Sequence, residues 1–310
     1  MAVAPFENAF ALTGPTGSGK SQLALTLAER LGAEIVSMDS MALYRGMDVG
    51  TAKPTLDDRR RVPHHLLDVL DPWESASVAW WLRRAAECCR EITGRGRRVL
   101  FVGGTPLYLK ALLRGLFDGP PADEDLRRRL TEEAERLGAP TLHARLATVD
   151  AVSAGRLHPN DVRRVIRALE VWELTGRPLS AWQTQWGERK DGAAGRPVLY
   201  LNPPREDLYA RIDARVRRMI ADGLVEESQV LRQLPQPLSR EASQAIGYKE
   251  LFDHLAGRAG LEETIVRIQT RTRNLAKRQL TWFRSLPECA SVVDHLTFAA
   301  WGITIDAGTL

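Results

Sequence analysis

The sequence predicts an α/β protein, a parallel-sheet core interrupted by an all-helical insertion. Three observations carry that expectation. Short, apolar β-like runs alternate with amphipathic helical stretches over roughly the first hundred residues, the rhythm of βαβ units that build a parallel sheet. After about residue 117 the strand signal stops, and an Arg/Glu-rich segment with helical apolar spacing replaces it. Residues 198–202 (VLYLN) then read as a return to the sheet. The layout is therefore a core of residues 1–117 and 199–310, with residues 118–198 as the insertion.

Element by element, residues 8–13 read as a first strand that ends in a glycine-rich turn. Residues 21–31 (SQLALTLAERL) carry apolar side chains at helical spacing and stop at Gly32, a residue that ends helices readily. Residues 33–37 form a short β-branched run, followed by a polar stretch at 38–53. Residues 80–92 have helical periodicity, and residues 99–102 read as a buried strand ending in Gly103-Gly104-Thr105. Pro120-Pro121-Ala122-Asp123 opens the insertion, and the Gly/Pro-rich residues 187–197 read as its exit linker.

Composition narrows the class. A chain of 310 residues suits one enzyme core plus an insertion, and 44% hydrophobic against 26% charged residues is ordinary for a soluble domain. No apolar run approaches the ~18–20 residues of a membrane span. The first ten residues carry Glu7 and no cationic start, so no secretory signal is expected. Cys88, Cys89 and Cys289 provide neither a disulfide framework nor metal spacing. A reduced, cytoplasmic protein, monomeric and without a membrane segment, is expected. Only six of 43 basic residues are lysine. Arginine's planar fork suits phosphate, which makes nucleic acid a candidate partner; biased composition is the plain alternative.

The first motif with chemistry in it is Gly14-Pro15-Thr16-Gly17-Ser18-Gly19-Lys20-Ser21. Its glycines let backbone N–H groups turn inward toward one anion, at the N-terminus of a helix. Lys20 adds a point charge and the Ser21 hydroxyl can ligate Mg²⁺. The motif lies between an expected strand and an expected helix, the context it requires. It does not specify the nucleotide. ATPases and GTPases usually place an acid at the end of a second strand, whereas residues 99–102 end in glycines and the nearest acid is Asp39. A diphosphate ester is as admissible as ATP.

Other features have plainer readings. Adjacent His64 and His65 rarely point at one ion, so a structural role is expected. Trp172, Trp182 and Trp186 read as helix packing. Residues 264–284 hold six basic side chains, Arg267, Arg271, Arg273, Lys277, Arg278 and Arg284, and no acid. On a helix, positions 267, 271, 274 and 278 share a face, a basic stripe suited to tracking phosphates. A solvated face is the alternative, weakened by the missing acids.

Several ordered blocks then point to one family. They are Ser37-Met38-Asp39-Ser40-Met41-Ala42-Leu43-Tyr44-Arg45-Gly46-Met47-Asp48 with Gly50-Thr51-Ala52-Lys53-Pro54, then Pro63-His64-His65, and Gly103-Gly104-Thr105. Further blocks are His158-Pro159-Asn160-Asp161, Arg167-Ala168-Leu169-Glu170, Gly247-Tyr248 and Asn274-Leu275-Ala276-Lys277-Arg278-Gln279-Leu280-Thr281-Trp282. Together with the phosphate loop they span residues 14–284 and resemble the bacterial tRNA dimethylallyltransferases, or tRNA isopentenyltransferases.

The resemblance implies a core like that of the P-loop kinases with a helical insertion contacting tRNA. It implies transfer of the dimethylallyl group from dimethylallyl diphosphate to N6 of adenine 37, beside the anticodon, in tRNAs reading codons that begin with U. Diphosphate is released, and Mg²⁺ is the expected cofactor, with Ser21 as its ligand. The phosphate loop, residues Gly14 to Ser21, would hold the diphosphate, with Arg215, and more weakly Arg211, as further candidates. Asp39 matches the family's acid and would act as general base. Thr105 and Arg127 match positions that contact the tRNA or its reacting base. The expected tRNA-binding positions are Asp39, Ser40, Met41, Ala42, Thr105, Arg127, Arg163, Arg164, Val165, Ile166, Arg167, Gln244, Gly247, Tyr248, Lys249, Lys277 and Arg278. Two departures stand out. Arg163-Arg164 occupies the place where the family often has Gln-Arg, and Gln244-Ala245-Ile246 replaces a common Arg-Cys-Val. A small-molecule or nucleotide kinase using ATP is the alternative enzyme, and a P-loop RNA-binding switch protein the alternative without prenyl chemistry.

Overall fold

In the computed structural model, strands and helices alternate from the first turn of the chain: β1 (Phe10–Thr13), α1 (Lys20–Leu31), β2 (Ala33–Ser37), α2 (Leu56–Arg61), β3 (His64–His65), α3 (Val78–Gly94), β4 (Arg98–Gly103) and α4 (Pro106–Arg114). The structure describes residues 6, 9–117, 119–183, 198–292 and 294–305. Helices α5 (Glu124–Leu137), α6 (Ala139–Val149), α7 (Ala151–Arg156), α8 (Val162–Thr175) and α9 (Leu179–Trp182) follow without a strand between them. The chain returns to the sheet at β5 (Val198–Leu201) and continues through α10 (Arg205–Ala221), α11 (Leu224–Arg232), α12 (Arg240–Ser243), α13 (Tyr248–Leu255), α14 (Leu261–Arg284) and β6 (Cys289–Val292). Two units result, Met1–Leu113 with Ala194–Leu310, and Arg114–Ala193. The exit linker expected at 187–197 lies outside the described residues. Among them, no helix is long and apolar enough to cross a membrane.

The first unit holds six parallel strands in the order β3-β2-β4-β1-β5-β6. Its strands are apolar on both faces because both faces are covered. Phe10 and Leu12 of β1 pack with Leu23 and Leu27 of α1 on one side. Val36 and Phe101 pack on the other side with Trp81 and Ile92 of α3 and with Ile268 and Phe283 of α14. Trp81 is fully buried, and its indole N–H donates to Ser37 O at 3.1 Å, satisfying the one polar group this side chain brings inside. The α/β class and the parallel sheet are as the sequence predicts. Two further strands, β3 and β6, carry no clear signal in the sequence. β3 is two residues long and β6 (CASV) is only half-buried, so neither carries an apolar pattern strong enough to read.

The second unit is wholly helical among its described residues, with Leu130, Leu146, Val165 and Leu169 in its core. A buried carboxylate organises it. Glu170, fully inaccessible, accepts from Arg127 Nε at 2.9 Å, Arg167 Nη1 at 2.6 Å and Asp123 N at 2.8 Å. These charged hydrogen bonds hold the Glu170 carboxyl below its ordinary range against the desolvation that opposes them.

Candidate active site

β1 ends at Thr13, and six residues later the chain enters α1 through Gly19, whose φ of 87° is left-handed and open to glycine. No side chain caps α1, so its first N–H groups face the loop, where they suit an anion. Lys20 Nζ folds back to donate to Pro15 O at 3.3 Å. Burial, then the neighbouring Arg215 guanidinium, lower the Lys20 pKa to about 8, with Asp39 pulling the other way. Arg215 Nη1 reaches Thr16 Oγ1 at 3.4 Å, and burial lowers its pKa too, again opposed by Asp39. Ser18 Oγ is buried in the loop with no partner among the described residues. Such an orphan is what an anion oxygen would satisfy.

The acid-bearing loop sits where β2 and β4 end side by side. Met38 N donates to Val102 O at 2.7 Å, and Thr105 N to Met38 O at 3.1 Å. Asp39 Oδ1 accepts from Met41 N at 2.9 Å and from Ala42 N at 3.4 Å. One carboxylate oxygen thus shapes the turn, while Oδ2 accepts nothing among the described residues. Thr105 Oγ1 accepts from Ser40 N at 3.1 Å, which ties the two loops together.

Thr16, Lys20, Asp39, Thr105 and Arg215 line one cavity of about 590 Å³. Its apolar wall comes from α10 and α14, through Ile212, Val216, Met219, Ile268 and Leu275. Gly50 and Lys53 lie on the same cavity, in a loop pinned from below. The almost inaccessible Lys53 ammonium donates to Tyr44 O at 2.5 Å and to Asp48 Oδ1 and Asp68 Oδ1 at 2.6 Å. Glu227 accepts the backbone N–H groups of Asp48, Val49 and Gly50 and the Tyr248 hydroxyl, at 2.6–3.1 Å.

The cavity therefore gathers much of what the sequence proposed. Ser21, Ser40, Met41, Ala42, Gln244 and Gly247 also line it, whereas Arg211 is exposed and does not. The remaining expected tRNA positions differ in their surroundings. Val165 and Tyr248 are fully buried and Ile166 nearly so, so these side chains pack into the protein interior. Arg127 and Arg167 are engaged by Glu170. Arg164 pairs with Asp161 at 3.3 Å, Arg163 is exposed, and Lys249 donates to Gln244 at 2.7 Å.

The basic helix is only partly a free stripe. Arg271 pairs with Glu250, Arg267 with Asp253 at 3.2 Å, and Arg273 with Asp213 at 2.6 Å. The acids missing from this segment come from α13 and α10. Lys277 and Arg278 are exposed with no ionic partner among the described residues. His65 Nε2 lies 2.7 Å from Glu34 and His64 Nδ1 lies 2.7 Å from Val62 O, so each ring is held by its own partner, and His64 also lines the cavity. No cluster of three metal-ligating His, Cys, Asp or Glu side chains occurs among the described residues. Trp182 stacks under Arg177 at 4.8 Å, and Trp186 lies outside the described residues. Gln279, named in the sequence only within its family block, and Met219 and Ile268, apolar positions of amphipathic stretches, also line the cavity although no site role was expected of them. A glutamine on the inward face of an amphipathic helix was the available signal for the first.

The sequence matches the family described as IPP transferase over residues 42–286 and that described as isopentenyl transferase over residues 7–65. It is 50% identical over 275 residues to the tRNA dimethylallyltransferase of Geobacter metallireducens, covering 87% of each chain. It is 46% identical over 282 residues to that of Geobacillus kaustophilus, covering 90% of this chain and 88% of the other. Among solved structures, it is similar to the tRNA isopentenylpyrophosphate transferase of Bacillus halodurans, with a TM-score of 0.66 and 40% identity over 92% and 89% of the two chains. It is also similar to a eukaryotic dimethylallyltransferase acting on tRNA, with a TM-score of 0.72 and 29% identity over 96% of this chain and 72% of the other.

Proposed function

This chain belongs to the IPP transferase family, and from that premise we propose that its cavity binds dimethylallyl diphosphate and delivers the prenyl group to N6 of adenine 37. The protein is a tRNA dimethylallyltransferase, a prenyl-transferring enzyme. The observation that carries the fuller reading is the pairing, in one cavity, of an anion cradle with an apolar wall. Thr16, Lys20 and Arg215 suit a diphosphate, and Ile212, Met219 and Ile268 suit a short hydrocarbon.

In the reaction, the adenine amine attacks the first prenyl carbon, whose bond to oxygen breaks with the electron pair leaving on diphosphate. Lys20, Arg215 and the loop amides stabilise the charge that develops on that oxygen. The exocyclic amine is a poor nucleophile because its lone pair is delocalised into the ring, and Asp39 Oδ2 accepts its proton as the C–N bond forms. Thr105, hydrogen-bonded to Ser40, stands on the acceptor side. Ser21 supplies an exposed hydroxyl on the cavity wall, a hard oxygen donor of the kind Mg²⁺ takes along with phosphate oxygens and water. Bound there, Mg²⁺ would neutralise diphosphate charge. The substrates are tRNAs reading codons that begin with U, recognised at the anticodon stem-loop with the helical unit contributing contacts. We place the enzyme in the cytoplasm as a monomer. Mass analysis of nucleosides after incubating an anticodon stem-loop with dimethylallyl diphosphate tests the reading. Prenylated adenosine is expected, and its absence under saturating Mg²⁺ overturns it.

Two further results are expected. Six lysines in the chain make the Lys20 ammonium accessible to side-chain NMR. In the free protein it should titrate near pH 8, and bound diphosphate, which favours the cation, should move the midpoint upward. A midpoint at about 10.4, the ordinary lysine value, in the free protein would contradict a desolvated Lys20. On the outer face of α14, Lys277→Glu and Arg278→Glu should weaken tRNA binding and reduce its log–log salt slope by roughly one per lost phosphate contact. An unchanged slope returns both residues to a solvated face. Arg271→Ala should act differently, lowering stability by about 1–3 kcal/mol because it leaves the buried Glu250 carboxylate with Gly247 N as its remaining donor among the described residues.

A further inference from the structure

One largely buried polar side chain on the cavity lining bridges its two halves. Gln279, on the inward face of α14, is 7% exposed. Its Oε1 accepts from Thr16 N in the phosphate loop at 2.9 Å, and its Nε2 donates to Gly104 O in the loop before Thr105 at 2.7 Å. The neutral carboxamide donates through Nε2 and accepts through Oε1 at once, which an acceptor-only carboxylate or a donor-only ammonium does not. A second observation is independent of these bonds. A Cβ on Gly104 would lie 2.6 Å from Gln279 Nε2 and 3.2 Å from Gly14 O. The phosphate loop and the Gly104 loop therefore approach so closely that only a glycine leaves room for the glutamine between them.

We propose that Gln279 is a positioning residue that holds the leaving-group loop and the acceptor loop at a fixed separation. The inference rests on the assignment of diphosphate to the phosphate loop and of Asp39 and Thr105 to the acceptor side. Thr105 follows Gly104 directly, and its hydroxyl accepts from Ser40 N, next to Asp39. A shift at Gly104 is thus passed to the residues facing the amine, while a shift at Thr16 is passed to the diphosphate. Misplacement of about 1 Å between reacting groups can cost on the order of 10²-fold in rate. Loss of the clamp should therefore appear in the chemical step more than in binding of either substrate.

The test is single-turnover prenylation of a tRNA anticodon stem-loop by the full chain, with diphosphate and stem-loop affinities measured separately. Gln279→Met keeps the length and helix preference of the side chain and removes both hydrogen bonds. The expected result is a rate lowered about 10–100-fold, with both affinities changed less than about threefold. Gly104→Ala, which pushes the carboxamide aside, should produce the same pattern. The double variant should be little slower than either single one, because both act on one contact. Should Gln279→Met not fold, Gly104→Ala and Gln279→Glu carry the test, since Glu keeps the acceptor for Thr16 and loses the donor for Gly104. A normal single-turnover rate in folded variants overturns the proposal. So does a defect erased by saturating dimethylallyl diphosphate, which would make Gln279 part of the anion site alone, or strictly multiplicative effects of the two substitutions. An inactive wild-type protein in the same assay would instead overturn the functional reading.

Discussion

Asp39→Asn is expected to fold, to bind both substrates and to slow the chemical step by ~10²–10⁴-fold, the range for loss of a positioned general base. The geometry separates the two jobs of this side chain. Oδ1 accepts from Met41 N and Ala42 N, and the carbonyl oxygen of asparagine accepts from the same groups, so the turn survives. Oδ2, which has no partner among the described residues, becomes an NH₂ that cannot take a proton from adenine. Removing the carboxylate also removes the attraction that favours the Lys20 cation. It equally removes a negative charge from beside the diphosphate, so donor affinity should hold or improve. Single-turnover prenylation at saturating donor and stem-loop measures the step directly. A turn-forming residue with no chemical role predicts near-normal turnover, and that outcome would take Asp39 off the catalytic path.

The second large effect is expected at Lys20. Lys20→Ala should lower kcat/KM by ~10²–10³-fold, the scale for losing one preorganised charge-stabilising donor. The loss should fall on the diphosphate, with tRNA affinity within a few-fold of wild type. Folding should not suffer, because the substitution removes a desolvated cation beside Arg215. ATP should be at most a poor competitor of dimethylallyl diphosphate, since the wall facing the cradle is apolar. Vigorous ATP hydrolysis by the wild type, indifferent to dimethylallyl diphosphate, would contradict the assignment of the cradle.

What the sequence determined by itself is local or periodic. The phosphate loop is contiguous, bracketed by an apolar run and an amphipathic helix that ends at Gly32, so strand, anion site and helix read off one stretch of chain. Likewise, the central strands read as apolar runs because both sheet faces are covered, and the loss of strand signal after residue 117 marks the helical segment. β3 and β6 escaped for the complementary reason. Short, half-exposed edge strands gain their identity from the neighbour they pair with, Val36 for His65 and Leu201 for Val292. The same limit applies to the site. Asp39 and Thr105 stand out in their motifs, but only the fold shows that Asp39 spends one oxygen on its own turn. Only the fold supplies Glu250 and Asp253 to neutralise Arg271 and Arg267, and buries Val165 and Tyr248. Gln279 joins segments 263 and 175 residues away. Charge pairing, burial and close backbone approach depend on distance in space, which a chain acquires only when its helices pack, and no spacing along the sequence records it.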